Sequence, residues 1–532
     1  MTFPGVAGYS RNLYQATWDN LAPRVGASYE LTRNTVLRGG YGRNYLPANT
    51  GYNANTTIYN PVPWDNAVNP FPYGLSPNGV PTGTFDNPAN SIIIPGTGAV
   101  QDPANYGQPT GVTIFNRTQY KTGHTDQWNF FIERQLSPTW LVNAGYVGSK
   151  SGTLPWRGYL INSSSQAFAV DPAIRAAWRA SYLATGVDPG TVKVNNPLTA
   201  LVGKAPCNAA CVNTTTITAL QAAQPYLAAL NTTSFITVGE SNYHAFQLKV
   251  QHAASRGLSF SGNYTWSKST GLLGGNGNQT FAESQAGAAN SSGTTGGVDY
   301  ANLQNNRGLA DYDIPHRAVF TASYALPIGQ GKALDPGNGI LNRVAGGWQV
   351  SSSINLQAGY PWAPSCGTLN YNGRCNRVAG QPLELPAADQ HYWNGKDTLT
   401  LPDGRVITPS VFTYTKWNPD AWAAPSLTLP NGTIAADPYT AGTSALTYGY
   451  LRTPGIQNVN LSLTKRIALT ERVGFDLHIN ANNILNHANH NTINNTVTID
   501  AKTGMNANPA YGSWGTTTLG AREIFMQANF TF

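Results

Sequence analysis

Ser462 and Lys465, in the stretch "SLTK", stand at the spacing used by serine nucleophiles that take a lysine as base. That chemistry needs both side chains on one face. Three residues apart share a face on a helix but fall on opposite faces of a strand. The flanking residues read as a strand, so the dyad is excluded. His487 and His490 in "NHANHN" could hold a metal, but no carboxylate accompanies them and the stretch reads as a polar loop start. There is no G-x-S-x-G, H-E-x-x-H or phosphate-binding loop. The expectation is no catalytic residue, no metal, no cofactor and no enzyme activity.

The four cysteines form two local pairs, Cys207 with Cys211 and Cys366 with Cys375, each in an Asn/Gly-rich segment. Neither spacing fits a zinc knuckle. Short-range even pairing suits loop disulfides in an oxidising compartment, with four unpaired thiols as the alternative.

The elements that carry these residues must suit an unusual composition. Charged residues make up 11% of the 532-residue chain, against about 25% in an ordinary soluble domain. Mean hydropathy is nevertheless slightly negative, at -0.28. Uncharged polar groups therefore carry the polarity, and abundant Gly, Asn, Thr, Ser and Tyr favour turns and pleated strands over long helices. No run of about 18 apolar residues occurs, which excludes a helical membrane span. The net charge of +7 is spread thinly, without a basic run, which argues against a nucleic-acid partner.

Alternation with a period of two recurs at lengths of about nine to eleven residues, enough for a tilted strand to cross a bilayer. In "GLSFSGNYTWSKS", Leu258, Phe260, Tyr264 and Trp266 oppose Ser259, Ser261, Asn263, Thr265 and Ser267. In "GGWQVSSSINLQAG", Trp348, Val350, Ile354 and Leu356 oppose Gln349, Ser351, Ser353, Asn355 and Gln357. In "ERVGFDLHINANN", Val473, Phe475, Leu477 and Ile479 oppose Asp476, His478 and Asn480. The closing "REIFMQANFTF" sets Ile524, Met526, Ala528, Phe530 and Phe532 against Phe525, Gln527, Asn529 and Thr531.

Strands are expected near 22–31, 35–45, 123–136, 139–150, 243–253, 258–269, 317–327, 346–359, 458–469, 471–485 and 522–532. The connections alternate strictly between short and long. A β-sandwich has no reason to sort its loops by side, whereas an outer-membrane barrel has short periplasmic turns and long extracellular loops. The fold class expected is all-β, an antiparallel transmembrane β-barrel, partial at about 11–12 strands.

Within the long connections, Asp171-Pro172 opens a capped helix ending at Gly186, a second helical stretch is expected over 217–223, and 271–297 reads as loop. Strand parity puts Arg24, Glu30, Arg38, Glu133, Lys249, Asp476 and His478 on the lumen side. There they could contact a substrate or a plug, but internal ion pairs and solvated wall groups are the favoured reading. Trp140, Tyr146, Tyr264, Trp266, Trp348, Tyr360 and Trp362 fall toward strand ends and are expected at the membrane interface.

Several stretches resemble one family in its order: "APRVGASYEL", "VLRGGYGRNY", "NYHAFQLKVQHAASRGLSFSGNYTWSKS", "DIPHRAVFTASYALPIGQG", "GGWQVSSSINLQAGYPW" and "NVNLSLTKRIALTERVGFDLHINANNILNH". They resemble the barrel of Oar-like TonB-dependent receptors over residues 21–532. The resemblance implies a substrate-gated receptor or transporter in the outer membrane of a Gram-negative bacterium, acting on an unidentified external ligand. The alternative is a surface-exposed binding or adhesion barrel without active transport.

The family's signal peptide, plug and first half of a 22-stranded barrel have no counterpart here, so the chain is expected to be the C-terminal part of a larger receptor. Residues 1–20 would then be the tail of an extracellular loop, and the TonB system a partner only if a plug region exists. The first residues, "MTFPGVAGYSRNLYQ", lack the cationic start and apolar stretch of a secretory signal. Outer-membrane lipid is the expected surroundings. Phe530 and the terminal Phe532 resemble the signal read by the barrel-assembly machinery.

Overall fold

A computed structural model describes residues 18–46, 112–115, 121–160, 171–196, 215–223, 232–272, 299, 302–409, 413–468, 474–490, 492–514 and 519–531. Eleven strands form one sheet in nearest-neighbour order, every pair antiparallel. They are β1 (Arg24–Thr32), β2 (Thr35–Leu46), β3 (Gly123–Ser137), β4 (Trp140–Leu160), β5 (Thr232–Ser255) and β6 (Leu258–Leu272). β7 (His316–Ala325), β8 (Trp348–Gln357), β9 (Ile456–Ala468), β10 (Gly474–Asn482) and β11 (Glu523–Thr531) complete it. Two short segments attach to this path: Arg307–Leu309 pairs with β6, and Val112–Phe115 pairs in parallel with β5. Among the described residues the outer edges of β1 and β11 carry no strand partner.

Each expected strand is present, because a wall with lipid on one side and polar groups on the other must alternate. Directly opposed residues in a ladder share a face. Following the register across the sheet therefore gathers the apolar sets of all eleven strands on one side. That side is bare: Val25, Tyr29, Leu31, Ile132, Leu136, Ile524, Met526 and Phe530 are between 44% and 72% exposed. A contiguous apolar face of this extent is a surface for lipid, not for water.

The sequence places the end of β4 too early and the start of β5 too late. Both continue about ten residues past the alternating stretch, with register shifts at Leu154 and Trp156, toward the long-connection end.

The short connections lie at one end and the long ones at the other. The β7–β8 connection holds a helix (Gly339–Ala345) capped by Asn338. The compact apolar clusters among the described residues are in the long connections, where the described parts of 358–455 and 483–522 pack into a cap. Trp362, Trp417, Trp422, Leu451, Val497 and Tyr511 are buried there with the Cys366–Cys375 pair, the rings of Trp362 and Trp417 5.5 Å apart. Short two-stranded ribbons such as Asn376–Arg377 with Trp422–Ala423, and Ser426–Thr428 with Ile434–Ala436, frame it.

Candidate functional site

The polar face is built of rows that cross the sheet. Ser259, Ser323, Ser351, Ser462 and Asn480 oppose one another in turn from β6 to β10. One step further along, Ser261, Thr321, Ser353 and Asn460 repeat the arrangement. These two rows line a groove of about 440 Å³. Neighbouring hydroxyls and amides bond to one another: Gln349 Nε2 donates to Ser323 Oγ at 2.5 Å, Ser323 and Ser351 Oγ lie 3.0 Å apart, and Ser462 Oγ donates to Asn480 Oδ1 at 2.7 Å. Such groups offer both donors and acceptors without net charge. The surface can hand a neutral polar molecule from one partner to the next.

All seven charged residues expected on the lumen side share this face. They do not form one site. Arg38 pairs with Glu133 at 3.5 Å, and Asn143 Nδ2 donates to Glu133 Oε2 at 3.3 Å. Arg24 donates to Asn44 Oδ1, Asp476 lies 3.6 Å from Arg466, and the His478 ring is 3.3 Å from Thr464 Oγ1. Glu30 on β1 and Lys249 on β5 stand apart from these pairs. Charges on this face thus stand on β1–β3, at Lys249 on β5, at Arg317 on β7 and at the turn end of β9–β10, while the two rows themselves hold only hydroxyls and amides.

Ser462 and Lys465 point to opposite faces. Lys465, buried on the apolar side, donates to Val344 O and Gly346 O at 2.6 and 2.7 Å and lies over the Trp348 ring. It closes the C-terminal end of the 339–345 helix. Among the described residues no group of three or more His, Cys, Asp and Glu side chains could hold a metal. His490 instead meets Tyr392 and Trp514.

Above the wall the cap is braced from several connections. The helix α1 (Pro172–Thr185) is capped by Asp171, whose carboxylate accepts from Ala173 N and Ile174 N, and ends at Gly186 with φ 72°. Arg179 Nε donates to the buried Asp437 at 2.6 Å, while Trp178 and Tyr182 stand edge-on to Tyr439. Tyr439 also donates to Asp188, and burial followed by that carboxylate raises its hydroxyl pKa well above the usual range. Arg374 donates to Asn305 O, Ser444 O and Asn306 Oδ1, tying the 302–315 segment to the cap. Burial lowers the Arg374 pKa from its ordinary value. Burial also pushes the Asp311 carboxyl up to about 6.

This bracing has no trace in strand alternation, and the sequence reading missed it. It also misplaces some members. Trp362 is wholly buried in the cap, because a ring adjoining the Cys366–Cys375 link packs against Trp417 and not against lipid. Tyr360 lies past the end of β8, its backbone N–H bonded to Thr453 Oγ1, so it belongs to the cap's base and not to a strand-borne belt. Trp140, Tyr146, Tyr264, Trp266 and Trp348 do lie on the apolar face. The second expected helix begins late: Thr216–Thr218 is extended, and Thr218 caps a single turn over Ala219–Ala222 through a reciprocal bond with Gln221.

Cys366 and Cys375 are joined by a disulfide, with Cα atoms 5.3 Å apart. Cys207 and Cys211 lie outside the described residues, as do residues 1–17, 273–297 and Phe532. Phe530 sits on the apolar face of β11 with its ring 5.0 Å from Phe475.

Residues 1–524 match the family model described as an outer membrane beta barrel domain. Among solved structures, the chain is similar to the outer membrane transporter YddB from Escherichia coli, at 10% identity and TM-score 0.35, covering 95% of this chain and 40% of that one. It is similar to the ferric-catecholate import receptor Fiu from E. coli K12 at 10% identity and TM-score 0.31, covering 96% and 34%. A mutant of the ferric enterobactin receptor PfeA from Pseudomonas aeruginosa matches at 9% identity and TM-score 0.33, covering 96% and 40%. The chain thus spans two fifths or less of the length of these three structures. No curated relative matches the chain.

Proposed function

The chain belongs to the outer membrane β-barrel domain family, and from that premise we propose that it forms the wall and extracellular cap of a TonB-dependent receptor-like barrel that takes up a polar, largely uncharged external ligand. The observation that carries this reading is the double row of hydroxyls and amides from Ser259 to Asn480 on the polar face, under a folded cap. A wall that only had to be wet could carry any polar residue. Two adjacent rows that hold only hydroxyls and amides from β6 to β9, with charges such as Arg317 and Lys249 standing outside them, suit passage by successive exchange of neutral hydrogen bonds. The stretches that resemble Oar-like receptors fall on these strands and agree with it.

The role is non-enzymatic. Coupling to TonB belongs to the proposal and requires a plug region. The barrel-assembly machinery is the proposed partner in biogenesis, on the strength of the aromatic end of β11.

A second reading, a binding or adhesion barrel without transport, is favoured by the bracing of the cap, which suits a fixed recognition surface. The two are separated by incubating cells with and without the gene in spent medium and following the loss of individual compounds by mass spectrometry, with and without a protonophore. Gene-dependent depletion abolished by the protonophore supports uptake. Gene-dependent retention at the surface that the protonophore leaves unchanged supports binding alone. No gene-dependent difference removes both.

A further inference from the structure

The apolar face carries one feature that lipid contact alone does not require. At the long-connection end, a cleft of about 460 Å³ opens outward from the sheet. Its floor is aromatic: Tyr146, Phe246 and Trp266 oppose one another across β4, β5 and β6, and are 40%, 41% and 59% exposed. Its upper wall is cationic. Lys268 stands on the same face one pleat further out, directly opposite His244, and Arg452 comes down from the cap.

The rim's acids are engaged, Asp313 by Arg452 at 2.6 Å and Glu240 by Arg307 at 2.5 Å. Lys268 has no ion-pair partner among the described residues. The His244 ring is fixed by the Tyr146 hydroxyl, 2.6 Å from Nδ1.

The height of the cleft follows from the strand. Lys268 lies ten residues beyond Leu258, the first residue of β6. That distance is about 33 Å along a strand, or about 25 Å across the bilayer at a tilt of about 40°, which matches the apolar band of such barrels. Lys268 therefore stands where outer-leaflet headgroups begin, and the aromatic floor where their chains begin.

We propose that this cleft binds a phosphorylated lipid of the outer leaflet, with Lys268 paired to the headgroup phosphate, His244 beside it, and acyl chains lying on Phe246 and Trp266. An unpaired cation at the headgroup level selects an anion. The exposed rings below it select an amphiphile over a free ion.

The test uses the full chain in a neutral detergent, with retained lipid measured by native mass spectrometry. The probes are a diphosphorylated, multiply acylated disaccharide lipid, its dephosphorylated counterpart, and inorganic phosphate as competitor. Lys268→Gln is expected to lower retention of the phosphorylated lipid at least fivefold and Lys268→Arg to restore it. Lys332→Gln, in the β7–β8 connection, is expected to leave it unchanged. The proposal is overturned by equal retention in Lys268→Gln, by equal retention of the dephosphorylated lipid, or by displacement with inorganic phosphate at millimolar concentration.

Discussion

Arg452 and Asp313 meet at 2.6 Å where two long connections return to the sheet, and the carboxylate also accepts from Ser269 N at the end of β6. The same guanidinium donates to Asp313 O and Gly359 O. One ion pair thus fastens the cap to the wall. Asp313 is 2% exposed at its side chain, so removing its partner leaves a buried charge uncompensated, which costs about 3 kcal/mol. Arg452→Met is expected to speed amide exchange at Ser269 and across 302–315 by about a hundredfold, while amides in β8 and β9 keep their protection. Unchanged exchange at Ser269 would remove Arg452 as the fastening.

Asp311 gives the cap a pH dependence. Its carboxyl is buried and titrates at about 6 in the folded chain, above its ordinary 3.8. A raised folded pKa contributes stability that is fully present below about pH 4 and is lost as pH rises through 6. Raising that carboxyl from 3.8 to about 6 corresponds to about 3 kcal/mol. Denaturant midpoints of the cap, followed by tryptophan emission, are expected to fall between pH 4 and 7. Asp311→Asn is expected to flatten that fall, and an equal slope in the variant would show that other groups cause it.

Cys366 and Cys375 close a loop of about ten residues, for which the chain-entropy estimate is about 2.5–3 kcal/mol. Replacing both by serine is expected to lower the melting temperature of the cap while leaving the amide protection of β2–β4 intact. A matching loss in the sheet would mean that cap and wall melt as one.

Two glycines in β4 predict different outcomes. A Cβ on Gly145 would press on the Phe131 ring and stand 2.5 Å from the Phe130 carbonyl oxygen, so part of the obstacle is the neighbouring strand's backbone. On Gly148 its nearest neighbours all belong to the Trp128 ring. Gly145→Ala is therefore expected to reduce the yield of folded barrel severely and Gly148→Ala modestly, because a ring can turn and a ladder cannot. Equal yields would contradict that distinction.

The strands were legible because lipid imposes a one-sided chemistry that survives in single letters: Leu258, Phe260, Tyr264 and Trp266 needed no partner to be read. In the register the seven charges share the polar face. The cap was not legible, because its logic is non-local. Arg179 and Asp437 are 258 residues apart, and Arg374 and Asn306 are 68 apart. Nothing periodic links them. The late start of the helix at Ala219 did have a local signal, since Thr218 and Gln221 make a capping box.

The braces through Arg179, Arg374 and Arg452 bear on how such a surface diversifies. Arg179 joins the β4–β5 connection, and Arg374 and Arg452 the β6–β7 connection, to the same packed body. Exchanging any one connection for a homologue's would strand its partners in the others, so recognition cannot be retuned by swapping loops singly. The inherited unit is the whole cap, and compensating changes are expected to travel in pairs that lie far apart in the gene.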